Sequence, residues 1–283
     1  MRARTMMSAF AAAPLCACVA LSCAIQVRAN PQVLRAGGIL INVPRMDEAL
    51  RFYVDGLGYA VAERQLVPAR VVLRGKDGKS LILHVSPDVR PFANDESRPS
   101  LTLQVNDLGE SMDKMRALGF LDARQAPREE GVGFAITIHD PAGTPISLMH
   151  QTIVKTPRFE EPKIYNYGFF VPDIAAERDL LVDKLGLAVR SNRFLPKDLP
   201  LDHADKSFAL MLHQREGVRP SRDRSITNSP IVIFWEAPNV LEAESALKQA
   251  DARARKLPPD HRELEFWLRS GIPTWVRAAK QVR

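Results

Sequence analysis

A repeated order of strand, helix and glycine is the feature that most constrains how this chain can fold. Three copies each contain an alternating apolar run, a helical stretch and a Leu-Gly stop, and the stops fall at Gly58, Gly119 and Gly186. A fourth, weaker copy begins at Ile231 and continues into a helical stretch from Val240. Self-similarity at a regular spacing indicates that one supersecondary unit is used several times.

The segments after the first two helices complete the unit with strands. In the first copy the strand-like runs are residues 60–64, 70–73 and 81–85, with a turn at Gly75-Lys-Asp-Gly78 between the last two. In the second copy, residues 134–138 and 146–149 flank Asp140-Pro-Ala-Gly143, which predicts a hairpin. Each copy is therefore predicted to form a βαβββ module.

The ends of the helices carry their own signals. Asp47, Asp107 and Asp173 lie at or near helix starts, where a carboxylate can accept hydrogen bonds from free backbone N–H groups. The glycine after each helix allows the left-handed residue that commonly ends one. These signals predict where the helix of each of the first three modules begins and ends.

Two motifs carry a resemblance to a known family: Met46-Asp-Glu-Ala-Leu-Arg-Phe-Tyr53 followed by Leu57-Gly58-Tyr59, and Asp140-Pro-Ala-Gly143-Thr-Pro-Ile-Ser-Leu148. They resemble the glyoxalase / bleomycin-resistance / extradiol-dioxygenase superfamily, also called the vicinal oxygen chelate (VOC) superfamily. The resemblance covers residues 36–250 and fades in the fourth copy. It implies an α+β fold in which tandem βαβββ modules pair into curved sheets around a cleft.

This resemblance leads to a domain prediction. Residues 36–153 are expected to form a first VOC domain of two modules, and residues 162–256 a second, with a degenerate fourth module. Residues 257–283 read poorly as three strands and are interpreted as a divergent end, a helical tail or a frameshifted terminus. The family forms its clefts either within one chain or between exchanged chains, so a homodimer is among the expected assemblies.

The first 29 residues predict a secretory signal peptide. Arg2 and Arg4 precede an apolar run, and Val27-Arg28-Ala29 places small residues at the −3 and −1 positions of a cut after Ala29. The prediction is export to the periplasm or the medium. There are two alternatives: an uncleaved membrane anchor, and a lipoprotein formed on Cys18 or Cys23. We expect the protein to associate with a membrane only if one of these alternatives holds.

Removal of this segment changes the chemistry available to the rest of the chain. All three cysteines lie in it, so the mature protein would have no disulfide and no thiolate ligand or nucleophile. Loss of its three arginines lowers the formal charge from +6 to +3. That charge is too small and too dispersed to predict a nucleic-acid partner.

The resemblance also implies positions for metal ligands: a His or Gln at the start of the first strand of a module and a Glu in its last strand. The first-strand positions fall on Gly38, Ser100, Asn166 and a residue near Val232, and the last-strand positions on Ile82, Ser147 and about Met211. None is His, Glu or Asp, so a metal-free cleft without cofactor is predicted. A slip of two residues would admit His84 and His213, which keeps a divalent metal as the alternative.

Strand alternation predicts which side chains line the clefts. The candidate ligand-binding residues of a first cleft, formed by modules one and two, are Asn42, His84, Ser100, Thr102, Gln104 and Ser147, with Gln151 beside them. Those of a second cleft, formed by modules three and four, are Asn166, His213 and Glu236, with Phe170 and Phe234. The basic run from Arg215 to Arg224 is interpreted as a solvated loop, with attraction of an anionic ligand as the alternative.

Three functions remain open at this stage. The first hypothesis is an exported VOC protein that binds a small molecule in a metal-free cleft. The second is a divalent-metal-dependent VOC enzyme, either a glyoxalase-type lyase or an extradiol-type dioxygenase. A structural partner in an assembly is the third. Analysis of bound metal in the purified protein would separate the first two.

Overall fold

The computed structural model describes residues 34–66, 69–74, 80–153, 162–202, 209–258 and 262–279. The predicted signal segment and the turn at residues 75–78 lie outside these residues. The described chain has an α+β fold built from four βαβββ modules. Among the described residues, no helix is long and apolar enough to cross a membrane.

Module one contains strand β1 (Arg35–Val43), helix α1 (Met46–Leu50) with a π-helical continuation (Arg51–Gly56), and strands β2 (Ala60–Gln65), β3 (Arg70–Arg74) and β4 (Ser80–Val85). Module two contains β5 (Arg98–Gln104), α2 (Leu108–Ala117), β6 (Arg128–Glu130), β7 (Gly133–His139) and β8 (Pro145–Gln151). The strands predicted from the sequence of these two modules are confirmed.

Module three contains β9 (Lys163–Val171), α3 (Ile174–Arg178) with a π-helical continuation (Asp179–Lys184), β10 (Ala188–Val189), β11 (Asp198–Asp202) and β12 (Ala209–Gln214). Module four contains β13 (Ile231–Ala237), α4 (Val240–Gln249), β14 (Ala254–Leu257), β15 (Glu263–Trp267) and β16 (Pro273–Ala278). The fourth module is thus complete, and its last strands lie in the segment that the sequence left unassigned.

Two signals explain why the fourth module was hard to recognise. The residue with positive φ after its helix is Asp251, at +51°, where the other modules have Gly58, Gly119 and Gly186 at +77° to +83°. Its final hairpin turns at Gly271, with φ +78°, and lacks the Asp-Pro-x-Gly motif. Asp is one of the few non-glycine residues that accept this backbone region, so the geometry is kept while the sequence mark is lost.

The modules pair differently from the sequential order. One sheet runs β14-β15-β16-β13-β1-β4-β3-β2, which joins modules one and four, and the other runs β10-β11-β12-β9-β5-β8-β7-β6, which joins modules two and three. The expectation that modules one and two share a cleft, and modules three and four another, is therefore wrong. We call the two sheets the outer-module sheet and the inner-module sheet. Both form within one chain.

The helix-facing sides of both sheets contribute to one continuous apolar core. Ile39, Ile41 and Val43 of β1 and Leu101 and Leu103 of β5 are among its buried residues, as strand alternation predicted. Burying this face fixes the register of each strand, because a slip of one residue would turn the apolar set towards solvent. The opposite faces of the sheets are the two candidate clefts.

Two buried polar contacts connect the outer-module sheet to the inner-module sheet, and the two have the same form. The Tyr53 hydroxyl of module one donates to Asp140 Oδ2 of module two at 2.8 Å, while Asp140 Oδ1 accepts from the N–H groups of Ala142 and Thr144. In the other half, Glu177 of α3 accepts from the backbone N–H groups of Arg269 and Ser270. Each contact thus joins a helix of one sheet to the final hairpin of the other.

Candidate small-molecule cleft

The cleft face of the outer-module sheet is filled by the chain itself. Leu40, Ile82, Val232, Phe234 and Trp275 form a second apolar cluster there, against which Ile226 packs. Ile226 belongs to residues 221–229, which we call the plug loop. Among the described residues, this loop packs on the apolar centre of the face.

Asn42 and His84 hold the plug loop in place. The Asn42 amide nitrogen donates to the carbonyls of Ile226 and Ser229, each at 2.6 Å. Its amide oxygen lies 2.8 Å from His84 Nδ1, so Nδ1 must carry the proton in this contact. Burial and the nearby Arg70 guanidinium lower the pKa of His84 to about 4. His84 is therefore a neutral, structural hydrogen-bond donor at neutral pH.

A buried ion pair anchors the base of the plug loop. Arg224 Nη2 lies 2.8 Å from Glu96 Oε2, with side-chain exposures of 9% and 5%. Glu96 also accepts hydrogen bonds from the Ser221 hydroxyl and the Ala93 N–H. Burial alone would raise the pKa of Glu96, but these donors lower it to about 2. The segment between modules one and two and the plug loop are thus locked together.

Glu236 lies at one end of the same sheet, between two arginines. Its carboxylate oxygens are each 3.0 Å from a guanidinium nitrogen, one of Arg35 and one of Arg277. Arg277 in turn covers the Phe234 ring, at 4.1 Å from the ring centre. The charge of Glu236 is therefore neutralised within the sheet.

The inner-module sheet has an open cleft of about 500 Å³. Its floor is built from side chains at equal levels of neighbouring strands. Thr102 of β5 pairs with Ser147 of β8 on one side and with Asn166 of β9 on the other. All three line the cleft, together with Ser100 at the next level of β5. The floor is thus polar but uncharged.

His213 stands at one side of this cleft and is held by Asp198. Its Nδ1 lies 2.7 Å from Asp198 Oδ1, on the neighbouring strand β11. The ring packs against Phe170, with 5.1 Å between ring centres. Because Nδ1 is occupied by the carboxylate, Nε2 is the ring nitrogen left to face the cleft.

Gly168 makes the space that Ser100 and His213 share. A Cβ at this position would lie 2.5 Å from Ser100 Oγ and 2.9 Å from His213 Nε2. Such contacts are too close for a side chain, so Gly168 brings a hydroxyl and an imidazole nitrogen onto the same small area of the floor. A glycine inside a strand often marks a close approach of this kind.

Two arginines border the same end of the cleft. The guanidinium carbon of Arg98 lies 5.4 Å from the centre of the Phe170 ring, and that of Arg215 lies 5.7 Å from it. Burial and the neighbouring charge of Arg215 lower the pKa of Arg98. Within the described residues, neither guanidinium has a carboxylate at ion-pair distance. Glu96, which acts on Arg98 from further away and raises its pKa, is itself paired with Arg224, so this end of the cleft presents two guanidinium charges without ion-pair partners.

The predicted site residues are therefore distributed over two faces. Ser100, Thr102, Ser147, Asn166 and His213 meet in the open cleft. Asn42 and His84 lie beneath the plug loop, and Glu236 lies in its ion pairs. Gln104 is buried and donates to the Gln151 side chain at 3.0 Å, away from the cleft lining. Grouping Asn42 and His84 with Ser100 and Thr102 in one cleft was wrong, because they belong to different sheets.

Sequence reasoning missed three residues of this site: Asp198, Gly168 and Arg98. Asp198 lies in the segment Pro196–Pro200, which reads as a loop because of its prolines, yet it begins β11. A glycine flanked by aromatic residues in a strand was the available signal for Gly168. Arg98 had no visible signal, since it becomes important through its neighbour Phe170 on the paired strand.

The residues of the open cleft do not fit the metal that the fold family implies. The positions expected to carry ligands are Ser100, Ser147, Asn166 and Met211, which supply hydroxyls, an amide and a thioether. His213 adds one imidazole, and its nearest carboxylate, Asp198, is engaged with Nδ1. The described residues contain no group of three or more His, Cys, Asp or Glu side chains able to hold a metal ion. This donor set is poor for a divalent cation.

Comparisons with known proteins agree with this fold. The family model described as "Glyoxalase/Bleomycin resistance protein/Dioxygenase superfamily" matches residues 35–148. No curated protein matches the chain in sequence.

Solved structures show the same architecture over most of the chain. Glyoxalase I from Zea mays is 14% identical, with a TM-score of 0.62, and the match covers 87% of this chain and 92% of that one. A Bacillus subtilis protein described as a candidate dioxygenase is 11% identical, with a TM-score of 0.63 and coverages of 88% and 86%. The cppA protein from Streptococcus pneumoniae TIGR4 is 12% identical, with a TM-score of 0.52 and coverages of 87% and 100%.

At these identities the solved structures establish the fold alone. The family rests on the matched segment, on the two motifs within it and on the four modules that the structure contains. Residues 35–148 thus carry a domain of the glyoxalase / bleomycin resistance protein / dioxygenase (VOC) superfamily, and the other described modules repeat its fold.

Proposed function

We propose that this protein binds a small molecule in the open cleft of the inner-module sheet, without a metal ion. The observation that carries the proposal is the lining of that cleft. Ser100, Thr102, Ser147 and Asn166 present uncharged hydrogen-bonding groups in a space of about 500 Å³, which is the size of a small-molecule site. A concave pocket with a few convergent polar groups is the usual form of such sites.

The difference between the two sheets supports this assignment. The chain fills one cleft face with its own loop and leaves the equivalent face of the other sheet open. Apolar residues occupy the filled face, whereas the open one has hydroxyl and amide groups on its floor beside apolar side chains such as Met149 and Phe170. Polar groups on an open concave surface are available to a ligand, while those beneath the plug loop already have protein partners.

Binding can be tested on the full mature chain treated with EDTA. The melting temperature is measured against a set of small polar compounds, with and without added Mn²⁺, Fe²⁺, Ni²⁺ or Zn²⁺. Ser147→Phe places an aromatic side chain on the cleft floor and should abolish the shifts. Ser245→Phe, on the exposed surface of α4, is the control that should keep them. Shifts that need an added metal would overturn the metal-free assignment and favour the metal-dependent lyase or dioxygenase.

We also propose that the protein works outside the cytoplasm, after removal of residues 1–29. The support is the sequence of that segment: a basic start, an apolar run and small residues before Asn30. N-terminal sequencing of the protein purified from its own cells, with fractionation of those cells, tests this. A terminus at Asn30 in an exported fraction is expected. A retained Met1, or a lipid-modified cysteine in the membrane fraction, would contradict it.

A further inference from the structure

We propose that the ligand of the open cleft is a small organic anion, with a carboxylate, phosphate or phosphonate group seated between Arg98 and Arg215 beside Phe170. This inference rests on the proposed function and names the chemical class of the ligand. Its support is the position of two arginine side chains at one end of the cleft.

The two guanidinium groups share one aromatic ring. Arg98 of β5 lies level with Phe170 of β9 in the sheet. Arg215 directly follows β12, two residues after His213, which is also level with Phe170. Both arginines approach the Phe170 ring at less than 6 Å and both line the cleft. Two like charges held this close repel each other, and an anion between them would remove that repulsion.

The arginines also have hydrogen-bonding capacity to spare. Arg98 Nη1 donates to the carbonyls of Ala93 and Asn94, which fixes the side chain, while its Nη2 has no hydrogen-bond partner among the described residues. Planar guanidinium groups bind carboxylate and phosphate oxygens through paired N–H groups. The Arg98 guanidinium is therefore held in place through Nη1 and keeps an N–H group available for a ligand.

Other arginines nearby do not share these properties. Arg224 is buried against Glu96, Arg219 pairs with Asp95 at 2.9 Å, and Arg128 pairs with Glu130 at 2.7 Å. The basic run from Arg215 to Arg224 is thus divided by the fold: Arg215 faces the cleft, while Arg219 and Arg224 are neutralised. A general basic surface would not produce this selective arrangement.

The remaining surface of the cleft suits the rest of such a ligand. His213 Nε2 and Ser100 Oγ lie near the anion position and can bind a hydroxyl or carbonyl group. The uncharged floor of Thr102, Ser147 and Asn166 extends away from the arginines. We therefore expect the anionic group at the arginine end and a short polar body over the floor.

Matched probes test the charge requirement directly. Benzoate and phenylphosphonate are compared with benzamide, which has nearly the same shape as benzoate and no charge. Binding is followed by NMR titration of the full mature chain at low ionic strength, because screening by salt weakens such contacts. The anions should bind at least about tenfold more tightly than benzamide, the factor expected for one charged hydrogen bond.

Variants of three arginines distinguish binding at the proposed anion position from an effect of net charge. Arg215→Gln should weaken benzoate binding about tenfold and leave benzamide binding unchanged. Arg219→Gln makes the same change of net charge outside the cleft and should leave both unchanged. Arg98→Lys keeps the charge and loses the planar group, so it should weaken phenylphosphonate binding while preserving the fold.

The outcomes distinguish this inference from the proposed function. If benzamide and benzoate bind equally, and Ser147→Phe abolishes both, the anion inference is overturned and the small-molecule cleft stands. If Arg215→Gln and Arg219→Gln weaken benzoate equally, the effect is net charge and the inference is also overturned. If none of the probes and none of the screened compounds binds, the proposed function fails with it.

Discussion

The cleft faces of the two sheets have the same architecture and opposite contents. On the inner-module sheet, His213 of β12 lies level with Phe170 on one side and Asp198 on the other. On the outer-module sheet, His84 of β4 lies level with Asn42 and Arg70. The two histidines thus occupy equivalent places, yet one faces an open cleft and the other lies beneath the plug loop.

The difference shows how neighbours decide the role of a residue. Asp198 orients His213 and leaves Nε2 towards the cleft. Asn42 Oδ1 instead accepts a hydrogen bond from His84 Nδ1–H, and its amide nitrogen donates to the carbonyls of the plug loop. A repeated scaffold can in this way keep one face for a ligand and use the other for stability.

The largest effect is expected at the anchor of the plug loop. Arg224→Ala leaves the Glu96 carboxylate buried without its partner, which should lower the free energy of unfolding by about 3–5 kcal/mol. Denaturation in urea measures this, and faster hydrogen exchange at residues 221–229 should accompany it. Arg219→Ala, at the adjacent exposed pair with Asp95, is the control and should change little. Equal effects of the two variants would contradict the anchoring role.

The next effect concerns the residue that connects the plug loop to the sheet. Asn42→Ala removes one acceptor and two donors, leaving two carbonyls and the His84 N–H unpaired, and should cost about 2–4 kcal/mol. Thr102→Ala, on the floor of the open cleft, should cost much less, because no plug loop depends on it. A similar cost for both substitutions would mean that the two faces do not differ as described.

The pH dependence of stability should reveal the buried imidazole of His84. Its pKa falls from the usual 6.5 to about 4 in the folded protein, so the unfolded chain binds the extra proton first as pH decreases. Its contribution is present above pH 6.5 and lost as pH falls towards 4. We expect His84→Gln to flatten the stability curve over this range, measured by urea denaturation at each pH. His139→Gln, on the exposed face of β7, should keep the original slope.

Glu96 should affect the free energy of unfolding at lower pH than His84 does. Its pKa is lowered to about 2 from the usual 4.5, so its contribution is present above pH 4.5 and lost between that value and about pH 2. Arg224→Lys should narrow this range by weakening the paired hydrogen bonds. An unchanged acid transition in Glu96→Gln would count against the ion pair as its source.

The smallest effect on stability is expected at His213. Because the ring borders an open cleft, His213→Ala should change the free energy of unfolding by less than about 1 kcal/mol, while weakening benzoate binding several-fold. The same substitution at His84 should have the reverse pattern, with a loss of stability and unchanged binding. Urea denaturation and NMR titration of both variants measure these effects. If the two variants lose stability and benzoate binding to the same extent, the two histidines do not have different roles.

The sequence was most informative about local structure. Asp107 and Asp173 cap their helices by accepting hydrogen bonds from backbone N–H groups, as predicted. The predicted turn at Asp140-Pro-Ala-Gly143 forms between β7 and β8. Such features depend on residues a few positions apart, so the chain carries their signal locally. The α+β class, the repeated modules and the superfamily follow from them. Asp47 differs, since it lies within the first turn and pairs with Arg45.

The pairing of modules and the contents of the clefts were decided by the tertiary structure. Each first strand can pair with the first strand of another module, and the alternating pattern is nearly the same for all four. The pairing brings together residues distant in sequence, such as Arg35 with Glu236 in one sheet and Arg98 with Phe170 in the other. No local pattern records that choice, because its free energy comes from burial and hydrogen bonds formed only once the sheets are assembled. Local patterns in the chain therefore specify the modules and the face of each strand. Assembly of the sheets places Ser100, Asn166 and His213 in one open cleft, and Asn42 and His84 beneath the plug loop.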